Sequence, residues 1–157
     1  MILMASKVKV AKAGVVVFTL FVEFLAGAYL ILYDINLKTY AIYHWYGMAA
    51  YTGVNLLLLL AVAATRSRGA VTGAAVWSVL GVILMLGDAF LGLPFSQFSS
   101  TTGFSSSAIS NGVGYKYLFG FGNGGGSVLY TSVAFSILLV FSLVTAVAAL
   151  SARKKSA

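Results

Sequence analysis

The chain contains no cysteine, one proline, one histidine and only three acidic residues in 157. Without cysteine it can form no disulfide, no thiolate metal site and no thiol redox centre. A single histidine cannot make a bis-histidine haem, a copper site or a structural zinc, so the chain alone is expected to hold no cofactor. G-x-S-x-G, P-loop and dinucleotide fingerprints are also missing. The run Gly120-Phe121-Gly122-Asn123-Gly124-Gly125-Gly126 enters an apolar segment without the strand and Lys/Ser context of a phosphate cradle, and reads as a flexible hinge. Charge itself is scarce: 8% of residues are charged and 61% hydrophobic, where a soluble domain has about 25% and 45–50%. A water-soluble fold of this length cannot hide that much apolar surface.

What is present is four apolar runs, at about 13–33, 42–64, 70–92 and 127–150, each long enough to cross a bilayer as a helix. They predict an all-α integral membrane protein with a single membrane domain over 1–157. The first run follows the basic flank Lys7, Lys9, Lys12. It continues through Tyr29-Leu30-Ile31-Leu32, too far for a usual signal-peptide core, and reads as an uncleaved span. Ten Lys and Arg give a formal charge of +7. Lys7, Lys9, Lys12, Arg66, Arg68, Arg153, Lys154 and Lys155 fall on one side of the spans and Lys38 and Lys116 on the other. This asymmetry predicts both termini on the cytoplasmic side of the cell membrane and accounts for the basicity without nucleic acid. Short links after the first and second runs predict an up-down-up-down bundle. Tyr40, Tyr43, Trp45 and Tyr46 gather at one end of the second span, as an interfacial aromatic belt does.

The one long connection, 93–126, is expected outside the cytoplasm. Tyr115, Tyr117, Phe119 and Phe121 alternate with Lys116, Leu118 and Gly120, a strand-like period. With the stretch 95–102 upstream they predict a short β-hairpin capping the outer bundle face. The loop aromatics Phe95, Phe98, Phe104, Tyr115, Tyr117, Phe119 and Phe121 are also what a partner subunit would bury.

Ionisable residues inside a span are functional candidates, since each costs at least a few kcal/mol near the midplane. At a rise of about 1.5 Å per residue, Glu23 lies roughly 15 Å below the outer end of its span, near the bilayer centre. Asp88 and His44 lie only about 6 Å and 3 Å deep by the same measure. His44 and Asp88 are expected to form an outer pair in which the carboxylate fixes the imidazole tautomer. Glu23 is expected at the level of Thr52 and Asn55 on the second helix, either of which could hydrogen-bond it. Thr19, Glu23 and Gly27 share one helical face, and His44, Met48, Tyr51 and Asn55 another. Three roles are open for Glu23: a neutral carboxyl gluing helices together, a proton or cation carrier, or a contact with a buried group of another subunit.

A lone glutamate midway along the first of four helices resembles the small multidrug-resistance transporters, and implies a homo-oligomeric proton-coupled carrier. The long outer loop and added length depart from that pattern. With no catalytic constellation, with glycines throughout the spans and with an aromatic, nearly uncharged outer loop, the sequence favours a non-catalytic accessory or structural subunit of a larger membrane complex, of the respiratory or another energy-converting kind. Its expected partners are lipid and either unlike membrane subunits or further copies of itself. A third alternative is an interfacial quinone- or lipid-associated enzyme subunit using Tyr43, His44 and Asp88 with a partner's cofactor. Outside the spans the only acidic residue is Asp34. Carboxylates titrate near pH 4, so such a surface is expected to suit an acidic exterior.

Overall fold

The computed structural model describes residues 10–33, 42–91, 98–99, 103–104 and 126–153. Four helices account for nearly all of these: α1 Val10–Tyr33, α2 Ile42–Thr65, α3 Arg68–Leu91 and α4 Gly126–Arg153. Each contains an apolar stretch of 20 to 22 residues, which at about 1.5 Å per residue matches a hydrocarbon core of roughly 30 Å. In lipid, every backbone N–H and C=O must be satisfied within the segment, and that favours helix even in runs rich in β-branched valine. Large apolar side chains point outward from every helix, among them Phe18, Leu57, Ile83 and Val147, each more than half exposed. These are the surfaces a bilayer solvates.

α1 is the central element and packs along both α2 and α4, while α4 also packs along α3; α2 and α3 meet over a much smaller surface. The start of α1 lies beside the end of α4, where Lys12 Nζ donates to the Ser151 carbonyl at 3.4 Å. The end of α1 lies beside the start of α2, where Trp45 Nε1 donates to the Ile31 carbonyl at 3.0 Å.

Only Arg66 and Ser67 separate α2 from α3, and side-chain chemistry makes so short a link feasible. Arg66 takes a left-handed backbone, φ 50°, and its N–H bonds the Val62 carbonyl at 3.0 Å, the arrangement that closes helices at a position usually given to glycine. Ser67 then caps α3, its Oγ accepting from Ala70 N at 3.1 Å.

The longest connection carries a two-residue antiparallel ladder, Phe98–Ser99 (β1) with Gly103–Phe104 (β2), in which Phe98 faces Phe104 and Ser99 faces Gly103. Phe95, Tyr115, Tyr117, Phe119 and Phe121, and with them the expected strand 115–121, lie outside the described residues.

Two apolar layers fill the bundle. One is built from Ala13, Val16, Leu20, Val62, Val71, Ala74, Ala75, Ala149 and Ala152. The other contains Ala26, Leu30, Tyr51, Met85, Ala134, Leu138 and Leu139. Between them every helix turns a polar side chain inward: Glu23, Asn55, Ser78, Ser142 and Thr145 are all wholly buried. Apolar burial gives little net drive between helices in lipid, so close packing and interhelical hydrogen bonds must hold this bundle together.

Candidate functional site

Glu23 is at the centre of the polar layer, eleven residues after Lys12 and ten before Tyr33 in its span. Oε2 accepts from Tyr51 Oη at 3.2 Å, from Asn55 Nδ2 at 3.2 Å and from Ser142 Oγ at 2.9 Å. Oε1 accepts from Thr145 Oγ1. Helical periodicity explains the donor set. Tyr51 and Asn55 are four apart on α2, and Ser142 and Thr145 three apart on α4, so each pair presents two donors from one face. One carboxyl thereby ties α1 to α2 and to α4.

Tyr51 Oη and Ser142 Oγ also lie 2.9 Å apart, so the two hydroxyl oxygens close a triangle with Oε2. The two hydroxyls bring two hydrogens to three edges. An acid proton on Oε2 supplies the third and completes the ring, whereas an ionised carboxylate leaves the Tyr51–Ser142 edge without one. The layer also offers a negative charge no cation: the described basic residues Lys12, Arg66, Arg68 and Arg153 all fall at helix ends. Four neutral donors reach the carboxyl and no counter-charge does, so a charge held there would be hydrogen-bonded but unpaired.

The surroundings fix the tyrosine. Its ring stacks on Trp77 of α3, centroids 5.4 Å apart and planes 18° from parallel. On the same helix, Gly81 leaves the space the phenol occupies; a Cβ at Gly81 would collide with Tyr51 Oη, Cζ and Cε2. A second close approach lies between α1 and α2, where a Cβ at Gly27 would meet the Thr52 hydroxyl and come within 3.1 Å of Thr52 Cβ.

Compared with known proteins, the chain matches no family model, no curated protein and no solved structure. The reading of the site therefore rests on its geometry.

The expected site residues separate into distinct places. Glu23 and Asn55 touch. Thr52 is buried beside them but donates nothing to the carboxyl, and its Oγ1 has no hydrogen-bond partner among the described residues. One residue on from Tyr51 is a turn of about 100° around the helix, which aims Thr52 at Gly27 instead. Thr19 bonds back to its own helix at the Val16 carbonyl, 3.1 Å. His44 belongs to the first turn of α2 and Asp88 to the last turn of α3; their side chains, and the expected pairing, lie outside the described residues. Sequence reasoning placed Tyr51 on the inward stripe without making it a partner of Glu23, and missed Ser142 and Thr145. Their only signal is the i, i+3 spacing of two hydroxyls in an otherwise apolar run. Among the described residues, no three His, Cys, Asp or Glu side chains gather as metal ligands.

Proposed function

We propose that the chain is a non-catalytic structural subunit of a larger assembly in the cell membrane, of the respiratory or other energy-converting kind. In this reading it is one up-down-up-down membrane domain with both termini cytoplasmic and an aromatic hairpin loop covered by a neighbouring subunit on the outer side. The observation that carries the reading is the engagement of Glu23: both carboxyl oxygens are taken up by side chains of α2 and α4, so the ionisable group at mid-membrane acts as a lock between helices. An apolar groove between α1 and α4, lined by residues such as Val22, Leu25, Tyr29, Val133 and Ile137, gives a neighbouring helix an outer face to pack on.

A second reading, a homo-oligomeric proton-coupled transporter, draws on the Glu23–Ser142–Tyr51 triangle, because a ring of hydroxyls around a carboxyl can pass a proton between members. Extraction of native membranes in mild detergent, followed by affinity capture, native mass determination and an absorption spectrum, separates the two. Stoichiometric recovery with unlike subunits supports the structural role. Recovery of a colourless homo-oligomer overturns it, and proton flux in vesicles with Glu23→Gln then tests the carrier.

A further inference from the structure

The register that brings Glu23 to Asn55 and Ser142 also fixes what meets at one end of the bundle. Along α1, partners on α2 and α4 run in the opposite sense: Glu23 meets Ser142 while Lys12 meets Ser151, and Ile31 meets Trp45 while Glu23 meets Asn55. A count from each member of the polar layer toward the start of α1 therefore reaches residues at one level. Eleven residues from Glu23 is Lys12, eleven from Asn55 is Arg66, and eleven from Ser142 is Arg153. Three cations thus share a level about 16 Å from the carboxyl. Direction repeats along with depth, because eleven residues at about 100° each make three turns and only about 20° more. Lys12 and Arg153 point across the α1–α4 interface much as Glu23 and Ser142 do. Packing agrees with the count: Ala13, Val62 and Ala152 belong to one apolar layer directly beneath the three cations, and the Val62 carbonyl accepts from Arg66 N at 3.0 Å.

No acid of the chain answers them at that level. Glu23 lies in the layer below, Asp34 follows the far end of α1, and Asp88 belongs to the last turn of α3 at the same far end. Lys12 Nζ leans toward α4 and spends one of its three hydrogens on the Ser151 carbonyl at 3.4 Å. Arg66 holds a left-handed backbone, φ 50°, that glycine would hold at lower cost. Like charges brought together without a counter-charge repel, and an anion among them reverses the sign. We infer that Lys12, Arg66 and Arg153 form a binding site for the phosphate of an anionic phospholipid. Depth selects the lipid. A distance of about 16 Å from the mid-membrane carboxyl is half a hydrocarbon core of roughly 30 Å, and the apolar spans of α1 and α4 begin at Lys12 and end at Arg153. Below the cations the exposed side chains Val15, Phe18, Val147 and Leu150 offer acyl chains an apolar surface on the same two helices. Guanidinium forks bind two phosphate oxygens at once, and the ammonium adds a point charge. The sequence strengthens the field, with Lys7 and Lys9 before Lys12 and Lys154 and Lys155 after Arg153. A zwitterionic headgroup would bring its own ammonium into this cluster, so the site favours a net negative one.

Native mass spectrometry of the full-length protein, taken from vesicles of equimolar phosphatidylglycerol and phosphatidylcholine, tests the site. The unmodified protein should retain phosphatidylglycerol about tenfold over phosphatidylcholine; Lys12→Gln should bring that ratio to about twofold or less, and Lys12→Arg should restore most of it. Arg68→Gln removes the same charge at the same end from α3, which meets α1 over little surface, and should leave the ratio within about twofold of the unmodified value. Equal retention of the two lipids overturns the site on the unmodified protein alone, whether or not any variant folds. Equal losses in Lys12→Gln and Arg68→Gln overturn it too, since they would mean a diffuse surface charge. Inorganic phosphate that strips the lipid would reassign the cations to a soluble anion, and an acidic protein chain that displaces it would reassign them to a subunit; either result refutes a lipid site.

Discussion

Replacing Glu23 by leucine removes the acceptor for four donors, Tyr51, Asn55, Ser142 and Thr145, drawn from two other helices. Side-chain hydrogen bonds between membrane helices average about 0.6 kcal/mol because the unfolded chain in lipid also finds partners. Four of them place the cost of Glu23→Leu at about 2–3 kcal/mol. Glutamine has the shape of a protonated glutamate. With its amide oxygen at the position of Oε2 it still accepts from Tyr51, Asn55 and Ser142, leaving only the Tyr51–Ser142 edge without a hydrogen, and its nitrogen donates to the Thr145 hydroxyl, which can accept. Glu23→Gln should therefore cost below about 1 kcal/mol. Reversible unfolding in mixed micelles, followed by helical circular dichroism and by tryptophan fluorescence, measures both; Trp77 reports on the layer through its stack with Tyr51. The reasoning fails if glutamine is as damaging as leucine, which would mean that the site needs a negative charge. It fails equally if leucine is harmless, which would mean that the polar layer contributes no stability.

The two glycine contacts predict a graded series. Gly81→Ala should lose about 1–3 kcal/mol by driving the Tyr51 phenol from Glu23, and Gly27→Ala a similar amount against Thr52, with Thr52→Ala rescuing only the second in a double-mutant cycle. By contrast, a Cβ at Gly14 or Gly53 meets nothing within 4 Å, so alanine at either should gain about 0.5–1 kcal/mol in helix stability, read from the same unfolding curves. Arg66→Gly should stabilise by roughly 1 kcal/mol, since the left-handed backbone it relieves costs about that for a residue with a Cβ; a loss larger than this would show that the Arg66 side chain does something the backbone argument omits. Ser142→Ala, which removes a donor to Glu23 and a neighbour of Tyr51, should cost about 1 kcal/mol and shift the carboxyl stretch of Glu23 in the infrared.

The existence of the four spans is legible because lipid imposes one rule on long apolar runs, and that rule acts through local sequence alone. Depth is legible for the same reason: counting residues from Tyr33 places Glu23 at mid-membrane without knowledge of any neighbour. Which neighbours it meets is another matter. Asn55 could be anticipated because a short connection fixes α2 roughly in register with α1, whereas α4 follows a connection too long to set its register. Nothing in the run around Ser142 and Thr145 says which of its faces will reach α1. Thr52 misleads for a finer reason: it is at the right depth but one residue out of phase, and depth counts along the axis while contact depends on angle about it. The link at Arg66 and Ser67 shows the same gap between levels. The basic loop is evident from the sequence, but an arginine in the conformation usually reserved for glycine is not.

Because Glu23 belongs to α1 and two of its four donors belong to α4, the lock cannot close during synthesis until α4 has entered the membrane. Before that moment α1 and α2 hold a carboxyl with only the Tyr51 and Asn55 donors in the middle of the bilayer. A chain lacking α4 thus loses Ser142 and Thr145, one donor to each carboxyl oxygen.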